Sequence, residues 1–162
     1  MPWGVSALLL LAGCAAAPAP PPAEPSPFNA TDTAWVQLMI PMNEQLLPAL
    51  DVAPASLAQF AADLKASHTA ELVHLRQLRD RAGLPDTNVH AGHQMPGLVS
   101  EADLLAIRTD PSALPKKLHE HLDQTAKLAR SELENGTDAA TKEFAASVES
   151  SRRDQLGRLG QG

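Results

Sequence analysis

Apolar residues recur at three- and four-residue spacing through most of the chain from Phe28 onward, the period of helices that bury one face. Asn29 or Thr31 can cap a first helix over Asp32–Leu50, with Trp35, Leu38, Met39 and Leu46 on one side. Pro41 lies inside it and removes a backbone hydrogen bond, so a kink is expected there. Leu57, Phe60, Leu64, Leu72, Leu75 and Leu78 predict a second helix over Ser56–Ala82, stopped by Gly83 and Pro85. A loop then spans Asp86–Gly97. Ser100 followed by Asp103 begins a short helix that ends before Asp110-Pro111. Leu114, Leu118, Leu122, Ala129 and Leu133 predict a helix over Ser112–Glu134, which Asn135-Gly136 closes. Thr137 or Asp138 caps a last helix that runs to about Leu159.

The pattern repeats. Phe60–Leu75 aligns without gaps on Phe144–Leu159, and Met42-Asn43-Glu44-Gln45 falls on His121-Leu122-Asp123-Gln124. Each half is a helical hairpin that cannot bury its apolar stripe alone. Two such hairpins, joined by the short helix, make an all-α four-helix bundle over residues 28–162. Composition agrees with this. Aromatic residues are 3 % and tyrosine is absent, too few to fill the pleated faces of a sandwich or barrel. A net charge of −6 with no basic cluster argues against a nucleic-acid footprint.

The N-terminus has a different character. Val5–Ala12 is an apolar run far shorter than the ~20 residues of a membrane span, and it suits the h-region of an export signal over residues 1–13. Leu11-Ala12-Gly13-Cys14 after it resembles a bacterial lipobox, in which the cysteine is lipidated and becomes the mature N-terminus. Cys14 is the sole cysteine. Residues 14–27 hold 6 of the 14 prolines and predict a disordered, partly polyproline tether. Such a segment reaches roughly 40 Å at about 3.1 Å per residue. The expected location is extracytoplasmic, at the cell membrane through the lipid.

Phe28–Pro41, the segment His90–Ile107 with Met95-Pro96-Gly97, and the duplicated hairpins resemble domain of unknown function family 305, ferritin-like exported bacterial proteins. The resemblance implies a four-helix bundle and, for some members, binding of copper or related metals, with a characteristic His-His pair after the kink in the first helix of each hairpin. Those pairs read Met42-Asn43 and His121-Leu122 here.

Candidate metal ligands follow from residue type and place. His90, His93 and Met95 form H-A-G-H-Q-M in the loop, and imidazole with thioether suits copper. Met39, Met42 and His121 form a second, softer set, because the repeat pairs Met42 with His121. His68 lies on the apolar stripe between Leu64 and Leu72, where a histidine is usually hydrogen-bonded inside a bundle. His74 points away from that stripe. His119 and His121 point to opposite sides of one helix, with His121 nearer the seam. The acidic residues read as solvated helix surface. No nucleophile motif or P-loop is present, and no Glu-x-x-His di-iron pattern, so a non-enzymatic protein is expected. Weak copper binding or buffering is one reading. A structural or partner-binding module without metal, with no particular protein partner indicated, is the other.

Cys14→Ala is expected to leave the protein unlipidated and to shift it from the membrane to the soluble fraction. Wild-type protein found without lipid contradicts the lipobox assignment.

Overall fold

The computed structural model describes residues 26–161. The export signal, Cys14 and nearly all of the tether lie outside these residues. Five helices follow in order, α1 Ala30–Leu50, α2 Ala58–Arg81, α3 Glu101–Thr109, α4 Leu114–Asn135 and α5 Ala139–Leu159, and no strand occurs among the described residues. α1 pairs with α2 and α4 with α5, as the repeat requires. The two hairpins meet chiefly through α1 and α4, while α2 and α5 touch less. α3 lies against α1.

Local chemistry sets the helix ends. The Asn29 side chain accepts from the N–H groups of Thr31 and Asp32, while Asp32 accepts from Asn29 N–H, a reciprocal cap. Ser100 and Asp103 do the same for α3. Single 3-10 turns, Ala55–Leu57 and Pro111–Ala113, take up the first residues that the pattern assigns to α2 and α4. α1 continues unbroken through Pro41 and Pro48, each of which withholds one N–H from the ladder.

Gly136 ends α4 for a reason other than a left-handed cap. Its backbone is extended, with φ −70°. A Cβ there would stand 2.0 Å from Glu132 Oε1, so the glycine makes room for that carboxyl.

Two apolar clusters fill the bundle. One gathers Leu46, Leu50, Leu64, Ile107, Leu114, Leu118 and Leu122, and the other Trp35, Val36, Met39, Leu75, Ala129 and Val148. Along α1, Met42 and Asn43 fall between them, both buried. Several acidic residues assigned to solvated surfaces are in fact interior: Asp32, Glu71 and Glu132 are buried, and each contacts other polar groups across helices.

Asp32 fastens the two hairpins at one end. Its carboxylate accepts the N–H groups of Thr137 (3.1 Å) and Asp138 (3.1 Å) from the α4–α5 turn, in addition to Asn29 N–H on its own helix (2.7 Å). Burial works against its charge, but hydrogen bonds from Glu132 and these N–H groups hold its pKa below the ordinary value. Glu132 is fully buried and no N–H or hydroxyl reaches either of its oxygens. It therefore keeps its own proton and donates it to Asp32. Burial, that shared proton and the negative charges of Asp32 and, less so, Asp138 push its pKa up to about 8, against an opposite pull from Lys142. Arg81 from α2 pairs with Asp138 beside this cluster.

A carboxyl whose pKa is raised on folding binds a proton that the unfolded chain has already released. Stability therefore falls as pH rises from the ordinary glutamate value of 4.5 toward about 8, and then levels off. Glu132→Gln, which donates to Asp32 at any pH, is expected to flatten this slope and to be more stable than wild type above that range. Thermal melts of both proteins across pH 5 to 9 check it; parallel curves contradict the shared proton.

A buried histidine pair as candidate metal site

Between the two apolar clusters the bundle interior is polar. The central pair is Glu71 on α2 and Arg152 on α5. Arg152 Nη1 donates to Glu71 Oε1 at 2.8 Å and Nη2 to Oε2 at 2.5 Å, a two-pronged ion pair with the arginine completely buried. Asn43 from α1 donates to Glu71 Oε2 at 3.0 Å. Arg152 Nε donates to Thr125 Oγ1 on α4 at 3.0 Å, and Thr125 passes its own hydrogen to the His121 carbonyl. All four long helices contribute to this one network.

His68 and His121 lie in the same polar layer, each fully buried. Their Nε2 atoms are 3.2 Å apart. His68 Nδ1 is 2.9 Å from the Leu64 carbonyl, and His121 Nδ1 is 3.1 Å from the Gly97 carbonyl. A carbonyl only accepts, so both Nδ1 atoms carry the hydrogen and both Nε2 atoms present lone pairs. The loop before α3 is what supplies the second carbonyl. Gly97 has φ +74°, and a Cβ there would stand 2.7 Å from Gln124 Cβ, so only glycine brings that carbonyl onto His121.

Burial above all keeps both rings neutral. The His68 pKa is well below the ordinary value because of burial and then the Arg152 charge; that of His121 is well below it because of burial, then His68 and Arg152. Neutral imidazole is the form that ligates metals.

The other candidate ligands are distributed differently. His90 and His93 sit in the loop with ring centroids 6.0 Å apart, half-buried and exposed respectively. His90 Nε2 is shielded from water and has no partner. Met95 is half-buried in the same loop. Met39 packs in an apolar cluster with Trp35 and Leu75, and Met42 is buried further along α1. His121 faces His68, a partner the Met39–Met42–His121 set did not include. His74 is exposed and packs edge-on against Phe144 at 5.1 Å, and His119 is exposed on the far side of α4 from His121.

The sequence did carry a trace of the pair. His68 is on the buried stripe and His121 on the seam, and both stand at positions the repeat treats as equivalent to interior residues. His68 is the ninth residue of Phe60–Leu75, and Arg152 is the ninth of Phe144–Leu159. Glu71 and Gln155 correspond in the same way. The buried ion pair gave no such signal, because a charge on an amphipathic helix ordinarily marks its wet face.

The architecture matches solved structures. A DUF305 protein from Streptomyces coelicolor, taken to be secreted, superposes with a TM-score of 0.69 at 14 % identity, over 80 % of this chain and 89 % of the other. A DUF305 fragment from Deinococcus radiodurans superposes with a TM-score of 0.70 at 17 % identity, over 84 % and 99 %. No family sequence profile and no curated protein matches the chain. The chain therefore has the DUF305 fold, a helical bundle of two hairpins.

Glu71→Gln is expected to destabilise the bundle by about 3–5 kcal/mol, because it leaves Arg152 charged, buried and unpaired. The double replacement Glu71→Leu with Arg152→Met is expected to recover most of that loss. Denaturant melts of the three proteins check it, and additive losses in the double variant contradict a coupled buried pair.

Proposed function

We propose that the protein is a lipid-anchored, extracytoplasmic, non-enzymatic bundle that binds or buffers a transition metal, copper. One observation supports the metal reading above the others: two neutral imidazoles aim unshared Nε2 lone pairs at each other 3.2 Å apart in the interior. Metal–imidazole bonds are about 2.0 Å, so an ion between the rings needs them to separate to roughly 4 Å, a shift below 1 Å. The rings are already aligned by their Nδ1–H bonds, the arrangement that holds metal-binding histidines in register. His90, His93 and Met95 offer a second set on the exposed loop, where the ligands have to be ordered on binding and affinity suffers. The extracytoplasmic placement is supported by the lipobox-like Leu11–Cys14 and by the similar Streptomyces coelicolor chain.

A metal-free structural or partner-binding module is the competing reading, supported by Met42-Asn43 standing where the family places a His-His pair. Copper titrations of the Cys14→Ala chain, with Cu(I) and Cu(II) run separately, distinguish the two. One tightly held equivalent is expected, unaffected by His90→Ala with His93→Ala and lost in His68→Gln. Loss in the loop variant alone assigns copper to His90 and His93; no affinity in wild type favours the module.

A further inference from the structure

α2 and α5 run antiparallel along one side of the bundle, with the start of α2 beside the end of α5. Half of the seam between them is open. A cavity of about 290 Å³ lies there, between the Phe60–Ser67 stripe of α2 and the Ser151–Arg158 stripe of α5. The repeat shows how the opening arises. In the corresponding half of the seam His74 packs edge-on against Phe144 at 5.1 Å, and Trp35 packs edge-on against the same ring at 6.0 Å. In the open half, Leu114 stands where the repeat has Trp35, and Arg158 where it has His74. The charged rim is also particular to the open half: Asp63 and Asp154 have Ser147 and Ala70 as counterparts.

The lining specifies the kind of molecule that fits. On the floor, the nearly buried Gln155 spends its amide hydrogens on Ser151 Oγ at 3.0 Å and Ser67 Oγ at 3.4 Å, while its Oε1 accepts from Arg152. Ser67 gives its own hydrogen to Glu71 at 3.4 Å. A hydroxyl oxygen accepts twice, so Ser67 offers the cavity a lone pair, and Ser151 a lone pair and its hydrogen. At the rim, Arg158 donates to Asp63 at 2.6 Å and lies over the Phe60 ring at 5.3 Å. Asp63 also accepts from Gln59 at 2.8 Å. Arg158 thus takes the acid across the groove rather than Asp154, one turn before it on its own helix, and Asp154 has no ion-pair partner among the described residues. Deeper in, Arg152 is answered by Glu71. The paired charges cancel. What remains is one uncompensated carboxylate, a surplus of acceptors, and an apolar wall of Phe60 and Leu64.

An anion would meet Asp154 here with no unpaired cation to hold it. One carboxylate and two hydroxyls are too few for calcium or magnesium, which take about six or more oxygen ligands. An alkylammonium group carries three donors and no acceptor, which matches the acceptors on offer. We propose that the α2–α5 cavity binds a small aliphatic primary amine in its ammonium form, the nitrogen donating to Asp154 and to the Ser151 and Ser67 hydroxyls and the hydrocarbon stem lying on Phe60 and Leu64. The volume is at the lower edge of ligand pockets, which begin near roughly 300 Å³, so the stem is short. Neither histidine of the buried pair takes part, and the site stands whether or not a metal binds there.

The test uses the Cys14→Ala chain at low salt, with n-pentylammonium as the probe and n-pentanol and pentanoate as controls of the same length. Backbone-amide NMR of the otherwise wild-type chain follows each titration, a readout that needs no further variant to fold. Pentylammonium is expected to shift the Ser67, Ser151, Asp154 and Gln155 signals saturably, pentanol to do so more weakly, and pentanoate not at all. Asp154→Asn, an exposed change, should weaken pentylammonium binding roughly two- to fivefold, the range of an exposed ion pair, and remove most of its salt dependence. Ser151→Leu, which fills the cavity, should abolish binding. Pentanol binding as tightly as pentylammonium, or Asp154→Asn with unchanged affinity and salt dependence, overturns the ammonium assignment. No saturable shift, or shifts confined to residues away from α2 and α5, overturns the site.

Discussion

A charge carried into a dry interior has to meet its opposite there, and this bundle is organised around one such meeting. Glu71 and Arg152 come from different hairpins, and Asn43 and Thr125 complete their bonds from the two remaining long helices. Apolar side chains tolerate sliding and rotation at modest cost. A two-pronged ion pair does not: a turn of one helix against another separates the prongs and strands a guanidinium with nothing to bond. The leucine clusters on either side supply most of the burial, and the polar layer dictates which face of each helix they can use.

The same layer explains why the histidines face each other. Leu64 and Gly97 carbonyls orient the rings from opposite directions, one from within α2 and the other from the loop ahead of α3. That loop therefore does structural work in the core although much of it is exposed. Its Gly97 is needed where the backbone passes close over α4.

Helix order, the hairpin repeat and most helix ends were legible in the sequence, because period, capping residues and proline are local signals. The reciprocal caps at Asn29 and Ser100 are written in residues three apart. Pairings between helices are not local. Asp32 reads as the first-turn acid of a capped helix, yet its carboxylate also accepts N–H groups of Thr137 and Asp138 more than a hundred residues away. Glu132 reads as a surface acid on α4, and Gly136 as an ordinary helix terminator; only their closeness reveals that one makes space for the other. His90, His93 and Met95 are close in the chain, whereas His68 on α2 and His121 on α4 meet only across the bundle interior.

Duplication gives each interior position two addresses, one per hairpin, and the two copies have drifted apart where they meet. His68 in one half corresponds to Arg152 in the other, Glu71 to Gln155 and Met42 to His121. Arg152 and Glu71 stand at different repeat positions, the ninth and the twelfth of their segments, so two identical hairpins would make this ion pair twice. In the second set of positions His68 and Gln155 stand instead. The divergence of the halves thus leaves the layer a single ion pair and gives the remaining places to uncharged polar groups.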